Sequence, residues 1–261
     1  MNKIALVSSI RDCPDPYLKF WIQYHLGIGV DHIFIYDNES DTPIVVENPK
    51  VTVTRWPGKA GQISAYNDSL SVLKKKDYEW VAYIDDDEFI MLSESDLPTY
   101  LNSLDSSTSG IGMNWLMFGS NGQEETIPDG NVFKAFTLGI AEDYSINKHI
   151  KTIAKIKQIS RIPSPHFVDY EGDSFSVTEN GEVINNPTEP VPKAFSNYPS
   201  HKRIWVNHYF CRSKEDFSSK IKRGAGGGKQ FNGFGPFESI NNISKTDYTE
   251  KINKCFSVGQ Y

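Results

Sequence analysis

Cysteine is scarce in this sequence, and an excess of positive charge is absent. The 261 residues include three cysteines, Cys13, Cys211 and Cys255, which are too few and too scattered for a disulfide framework. Lys and Arg total 27 against 33 Asp and Glu, which gives a formal net charge of −6. The composition therefore favours a reducing compartment and argues against a nucleic-acid partner, which would require a basic surface.

Long apolar runs are also missing. No uncharged stretch approaches the roughly 18 to 20 apolar residues that cross a bilayer. The first apolar run, residues 4–7, is too short for a signal peptide. We expect a cytoplasmic protein whose contact with a membrane is at most peripheral, at the inner face.

The residues that are present predict one folded α/β domain. Hydrophobic residues make up 38% of the chain and charged residues 23%, a balance typical of globular proteins. Strand and helix patterns alternate up to about residue 104, which is typical of a doubly wound sheet. The predicted strands are residues 4–10, 32–36, 51–56 and 80–84, and the predicted helices are residues 15–26, with Asp15 as the cap, and 61–76.

The rest of the chain follows no such alternation. Residues 157–203 are rich in Pro, Asn and Ser, and we expect irregular chain there, folded over the sheet. Ser213 is placed to cap a helix over residues 213–223, which a glycine-rich loop, residues 224–235, follows. Further strands are predicted at residues 110–118, 131–138, 150–156 and 204–209.

Four consecutive acids, residues 85–88, directly follow a predicted strand. Open α/β sheets bind ligands at this end of their strands. If the chain stays extended, Asp85 and Asp87 project to one side and Asp86 to the other. Adjacent carboxylates repel one another unless a cation is present, and such oxygen ligands favour Mg²⁺ or Mn²⁺. The pattern predicts a metal site beside a diphosphate, and a solvated acidic turn is the alternative.

Residues 83–89, YIDDDEF, resemble the D-x-D-E-F form of the metal-binding motif in glycosyltransferases of the GT-A fold. Residues 17–40 resemble the helix, turn and second strand of family-92-like and family-2-like transferases, and the whole resemblance covers about residues 4–225. One departure is Arg11-Asp12, which stands where the family usually has Asn-Glu. Further similar segments are residues 62–70, 115–122 and 206–224.

The resemblance implies a GT-A fold, a doubly wound mixed sheet in a single domain with an irregular C-terminal half. Residues 1–104 would form the nucleotide-binding half, and residues 105–261 the acceptor-binding half with a C-terminal lid. Lys220 lies with other basic residues beside the glycine-rich loop. The residues expected to bind the donor are Ser8, Ser9, Arg11, Asp37, Gln62, Tyr66, Asn67, Asp85, Asp86, Lys222, Arg223 and Lys229.

Several of these donor residues have an ordinary structural alternative. Asp37 could form an Asx turn. Gln62, Tyr66 and Asn67 could cap or pack their helix. The glycine-rich loop could be a solvated linker.

The resemblance also implies a Mn²⁺ or Mg²⁺ ion. Asp87 is the first expected ligand, Asp85 a second ligand or a ribose contact, and His208 completes the shell; a hydrogen-bonded core histidine is the alternative for His208.

Acceptor residues are expected in the second half of the chain. Transfer with inversion needs a carboxylate base, for which Asp143 is a candidate, although an ordinary loop acid is the alternative. Trp115, Phe118 and His166 are candidates to face the acceptor, because sugar rings stack on aromatic side chains. Core packing is the alternative for Trp115 and Phe118.

We therefore expect a metal-dependent glycosyltransferase. It would move a sugar from a nucleotide sugar, a UDP-sugar, to a glycan or a lipid-linked glycan. A nucleotidyltransferase or phosphohydrolase is the alternative enzyme class, but a two-metal site needs more clustered carboxylates than one strand end supplies. A calcium-binding carbohydrate module is disfavoured because the spacing of an EF-hand loop is absent.

Overall fold

The computed structural model describes residues 3–58, 60–184, 194–224, 228 and 230–256. The strands in this part of the chain are β1 (Ile4–Ile10), β2 (His32–Asp37), β3 (Val51–Arg55), β4 (Trp80–Tyr83), β5 (Glu88–Leu92), β6 (Gly110–Met117), β7 (Leu138–Gly139), β8 (Ile150–Lys155), β9 (Ile159–Arg161), β10 (Asp169–Tyr170), β11 (Ser176–Thr178), β12 (Val183–Ile184), β13 (Ile204–His208) and β14 (Thr246–Asp247). The α-helices are α1 (Asp15–Gly27), α2 (Gln62–Leu73), α3 (Leu97–Asn102), α4 (Val132–Ala135), α5 (Lys214–Arg223), α6 (Gly235–Ile243) and α7 (Thr249–Phe256). Among the described helices, none combines the length and the apolar character of a membrane span.

A mixed sheet of ten strands organises the described residues. Its main path runs β12-β11-β6-β8-β4-β1-β2-β3, and β13 pairs with both β6 and β5. The strands β1, β2, β3 and β4 are parallel, whereas β8 lies antiparallel between β4 and β6. The expected α/β fold with a mixed sheet is confirmed.

Helices cover both faces of the parallel part of this sheet. Successive strand residues point to opposite faces, so Leu6 packs in the same core cluster as Trp21 of α1. Val7 packs instead with Tyr66 and Leu70 of α2. Burial on both faces requires a continuous apolar run, which residues 4–7 of β1 and the whole of β4 supply. The carboxyl ends of β1, β2 and β4 consequently lie side by side at one edge.

The acidic motif is a turn, and the extended geometry expected there is wrong. β4 ends at Tyr83, and Asp86 and Asp87 form a turn before β5 begins at Glu88. The Glu88 N–H donates to the Asp85 carbonyl oxygen at 3.1 Å. The Asp85 N–H donates to the Glu88 carboxylate at 2.8 Å, which closes the turn from both ends.

Local chemistry explains the other differences from the predicted elements. Half of the strand expected over residues 131–138 is the short helix α4, because the Asn131 side chain accepts from the Lys134 N–H and caps it. Pro14 and not Asp15 is the N-cap of α1. The helix α5 is confirmed, with Ser213 and Asp216 forming a capping box. The helices α6 and α7 were not expected.

Candidate active site

A cleft of about 400 Å³ lies at the carboxyl ends of β1, β2 and β4. The segments that follow these parallel strands contribute Arg11, Asn38 and residues 85–87 to its lining. This is the edge at which open α/β sheets bind ligands. The opposite side is lined by residues of the second half of the chain: Trp115, His166, His208, Phe210, Lys220 and Arg223.

Lys151 of β8 lies directly behind the acidic motif. β8 is antiparallel to β4 with Ile153 opposite Ala82, so Lys151 lies beside the residues that follow β4. Its Nζ is 2.8 Å from Asp85 Oδ2 and 3.1 Å from Glu88 Oε2. The lysine and Glu88 are fully buried.

Burial and ion pairing shift the pKa values of Lys151 and Glu88 in opposite directions. Burial alone lowers the pKa of Lys151, but the carboxylates of Asp85 and Glu88 outweigh it and raise that pKa above its ordinary value. Burial raises the pKa of Glu88 to about 7, and the ammonium of Lys151 opposes that rise. Lys151 therefore stays charged and holds both acids in place.

Asp86 and Asp87 pair with cations from the segment that follows β13. Nη2 of Arg212 donates to the backbone carbonyl oxygen of Asp86 at 2.5 Å. The same nitrogen lies 3.1 Å from Oδ2 of the Asp86 side chain. Nζ of Lys220 donates to Asp87 Oδ2 at 2.6 Å. Burial would raise the pKa of Asp87, but Lys220 and His208 outweigh it and hold that pKa well below its usual value.

The sequence indicated that the acidic cluster needs a cation, and three side-chain cations meet that need. Lys151, Arg212 and Lys220 were not assigned these roles, because the acids they pair with lie 66, 126 and 133 residues away in the chain. One signal was available. Lys151 lies within a predicted strand, directly after Ile150, and a lysine at a buried position is almost always paired.

His208 reaches the acidic motif through strand register. It is the residue opposite Glu88 in the antiparallel pair of β13 and β5. Its Nε2 lies 3.5 Å from Asp87 Oδ1. Its Nδ1 is buried and has no hydrogen-bond partner among the described residues.

Asp87 and His208 offer oxygen and nitrogen donors that fit Mn²⁺ or Mg²⁺. The described part of the chain contains no group of three or more His, Cys, Asp and Glu side chains able to hold a metal ion. Asp85 was expected as a second ligand or a ribose contact, and its oxygens accept from Lys151 at 2.8 Å and from Gln62 at 2.6 Å. Phosphate oxygens and water would have to complete the shell, as they usually do for Mg²⁺.

About half of the expected donor residues line the cleft. They are Ser9, Arg11, Gln62, Asp85, Asp86 and Arg223. Asn38, which was not predicted, also lines it. Lys229 lies outside the described residues, as do residues 225–227 of the expected lid.

Two further expected donor residues, Ser8 and Asp37, do not line the cleft. Ser8 is fully buried in β1. Asp37 pairs with Arg55 at 2.7 Å and accepts from the N–H groups of Ser40 and Ile44, so it fastens the loop after β2.

The two remaining α2 residues and Lys222 also lie off the cleft lining. Tyr66 is buried behind Gln62, whose Nε2 lies 3.2 Å from the tyrosine Oη. Asn67 bonds both backbone groups of Ile162. Lys222 is exposed. Five expected donor residues are therefore not part of the cleft lining: Ser8, Asp37, Tyr66, Asn67 and Lys222.

On the acceptor side, Trp115 and His166 line the cleft. The Trp115 ring stacks on His149 with centroids 4.6 Å apart. Nδ1 of His166 lies 3.0 Å from the Ile150 carbonyl oxygen, which can only accept, so Nδ1 carries the proton and Nε2 a lone pair. Burial lowers the pKa of His166 to about 4, which keeps the ring neutral at pH 7.

Phe118 and Asp143 are not part of the cleft lining. Phe118 is fully buried and stacks on Tyr209 at 4.8 Å, so it is a core residue. Asp143 is exposed in the loop after β7. Neither position supports the role expected of it.

Known proteins similar to this chain were found by sequence and by structure. A glycosyltransferase family 92 protein of Arabidopsis thaliana is 37% identical over 81 residues, which cover 28% of this chain and 14% of that protein. A glycosyltransferase family 92 protein of Ricinus communis is 38% identical over 97 residues, which cover 34% of this chain and 16% of that protein. The matched segments thus span less than a fifth of these relatives.

The structural comparison matched a crystal structure of 4-diphosphocytidyl-2C-methyl-D-erythritol synthase from Anaerococcus prevotii. The match covers 60% of this chain and 72% of the synthase chain, with 10% sequence identity. Its TM-score of 0.34 is too low to bear on fold or function. The sequence model of glycosyltransferase family 92 matches residues 12–208, well over half of the chain. The chain therefore belongs to glycosyltransferase family 92.

Proposed function

We propose that this chain is a metal-dependent glycosyltransferase of the GT-A type. It transfers a sugar from a UDP-sugar to a hydroxyl group of a glycan or lipid-linked glycan. The observation that carries the proposal is the grouping of Asp87, His208, Lys220 and Arg223 around one cleft at the carboxyl ends of parallel strands. Metal ligands and cations that share a cleft suit a diphosphate.

Asp87 and His208 would hold the Mn²⁺ or Mg²⁺ ion. The ion, when bound, neutralises charge that develops on the departing diphosphate. Lys220 and Arg223 add charge-assisted hydrogen bonds to phosphate oxygens, and these are among the strongest contacts a protein can offer. Arg11 and Gln62 lie on the strand side of the cleft, where the nucleoside would bind.

Trp115 and His166 form the acceptor side in this proposal. A sugar ring can pack its apolar face on the indole ring. The lone pair on Nε2 of His166 can accept a hydrogen bond from the attacking hydroxyl group and orient it. The exposed position of Asp143 leaves it out of this arrangement.

Asp87→Asn tests the metal site. Loss of the negative charge should reduce Mn²⁺-dependent UDP affinity by at least about tenfold, since the carboxylate is the principal ligand. Calorimetric titration of UDP with and without Mn²⁺ measures this effect. Asp173→Asn is the matched control, because Asp173 is exposed and does not line the cleft. Equal UDP affinity in the two variants would contradict the assignment of Asp87.

The reaction type is tested by product analysis. UDP-glucose or UDP-galactose, incubated with Mn²⁺ and a panel of hexosides, should yield UDP and a glycosylated acceptor. Release of UMP and sugar 1-phosphate would instead show cleavage within the diphosphate. That result would favour the phosphohydrolase class.

A further inference from the structure

Lys220 has a position unlike that of the other two cations at the acidic motif. Its Nζ contacts one carboxylate oxygen, Asp87 Oδ2 at 2.6 Å. Its other contacts are to Phe210, whose carbonyl oxygen is 2.8 Å away and whose ring centroid is 4.4 Å away. Its side chain is 14% exposed and lines the cleft.

The other two cations are held more firmly. Lys151 is fully buried between two carboxylates. Arg212 is 4% exposed, bonds both the backbone and the side chain of Asp86, and packs over the ring of Tyr17. Of these three cations, Lys220 is the one that can exchange its acidic partner for a ligand in the cleft.

The carboxylate that Lys220 neutralises is the one expected to hold the metal ion. A divalent ion bound by Asp87 and His208 would lie within a few ångströms of the ammonium group and be repelled by it. A diphosphate removes this conflict, because its negative oxygens can pair with both the ion and the ammonium group. Metal and nucleotide should each favour the binding of the other.

We propose that Lys220 is the resident counter-cation of Asp87, and that it makes metal binding depend on the nucleotide diphosphate. Without nucleotide, Lys220 occupies Asp87 and opposes the ion. With nucleotide, Lys220 transfers to the diphosphate and the ion takes its place at Asp87. This inference rests on the proposed function, since it needs a diphosphate donor and a divalent ion in the cleft.

The test compares Lys220→Met with Lys214→Met. Lys214 lies on the same helix, is exposed and pairs with Glu124 outside the cleft, so both variants lose one positive charge. Calorimetry measures Mn²⁺ affinity without nucleotide, and UDP affinity at saturating Mn²⁺. In Lys220→Met we expect Mn²⁺ to bind about tenfold more tightly and UDP about tenfold more weakly, as for one charge-assisted contact. Lys214→Met should match the unmodified protein.

Opposite changes in the two affinities separate this role from a structural one. A merely destabilised site would weaken both ligands, and that result would overturn the inference, as would an unchanged Mn²⁺ affinity. Lys220→Arg keeps the charge and should restore the weak binding of Mn²⁺ alone; if it behaves like Lys220→Met, the inference is wrong. If the unmodified protein binds UDP equally with and without Mn²⁺, the metal dependence in the proposed function fails first, and the inference falls with it.

Thermal unfolding provides a measurement that does not require calorimetry of a weak site. Mn²⁺ alone should raise the melting temperature of Lys220→Met more than that of Lys214→Met, because at a given concentration the ligand that binds the folded state more tightly stabilises it more. Equal shifts in the two variants would count against the inference.

Discussion

At the scale of single residues, the buried lysine behind the acidic motif is the most consequential feature. Lys151 is the cation shared by Asp85 and Glu88, and it has no exposed surface. A buried ion pair adds little net stability, but removing one partner leaves the other charge without compensation. The lysine thus fixes the geometry of the cleft floor more than it adds to the stability of the fold.

At pH 8, Lys151→Met should lower the free energy of unfolding by about 3 to 5 kcal/mol, because the buried Glu88 would either lack a counter-charge or have to take up a proton above its pKa of about 7. Urea unfolding measures the loss. The double variant Lys151→Met with Glu88→Gln removes both charges and should recover part of it. If the double variant is no more stable than the single one, the loss does not come from the uncompensated carboxylate.

At the scale of elements, β13 matters because it carries His208 to the motif. Glu179 fastens the start of this strand. Its carboxylate accepts from the N–H groups of Lys202, Arg203 and Ile204 at 2.8, 2.5 and 2.8 Å. Three convergent backbone donors form a site for an anion, and here a carboxylate of the chain itself fills it.

Glu179→Gln should destabilise the protein by about 1.5 to 3 kcal/mol, since an amide cannot accept all of these bonds with the strength of a carboxylate. Glu182→Gln is the matched control, because the Glu182 carboxylate accepts a single bond, from the Asn197 N–H, and is only partly buried. Chemical unfolding of both variants measures the difference. Equal stabilities would mean that the three N–H groups find other partners.

At the scale of the whole molecule, acid stability depends on a histidine that ties a helix to the sheet. Nδ1 of His25 lies 2.8 Å from the Trp21 carbonyl oxygen, and its Nε2 accepts from the Ile90 N–H at 3.3 Å. Full burial lowers the pKa of His25 to about 3, while the backbone bond opposes this shift. The ring is therefore neutral in the fold and serves as donor and acceptor at once.

This arrangement predicts a loss of stability in acid. The unfolded chain takes up a proton near the ordinary histidine pKa of about 6.5, whereas the folded chain does so near 3. Neutral His25 contributes up to about 5 kcal/mol to the free energy of unfolding. This contribution is complete above about pH 6.5 and is lost as the pH falls toward 3. We expect the free energy of unfolding to fall more steeply between pH 7 and pH 4 in the unmodified protein than in His25→Gln. Parallel curves would rule this histidine out.

Patterns over a few residues were enough to predict much of this architecture. Apolar runs predicted β1, β2, β4, β8 and β13, and helical periodicity predicted α1, α2 and α5, because burial requires the right repeat. The position of residues 85–88 after a buried strand placed them at the sheet edge where the cleft lies. A capping signal at Ser213 is equally local, and its helix is present.

Only the tertiary structure decided which charges meet. The cations of Asp85, Asp86 and Asp87 come from distant segments, and strand register brings Lys151 and His208 to the motif. The same limit explains Phe118, whose aromatic ring is in the core, and Asp37, whose carboxylate fastens a loop. Periodicity and turn chemistry depend on neighbours within a few residues, whereas an ion pair or a core contact depends on how separate elements pack. The sequence by itself therefore determined much of the sheet and the edge where the cleft lies, and the packing of the second half against the first decided the chemistry of the cleft.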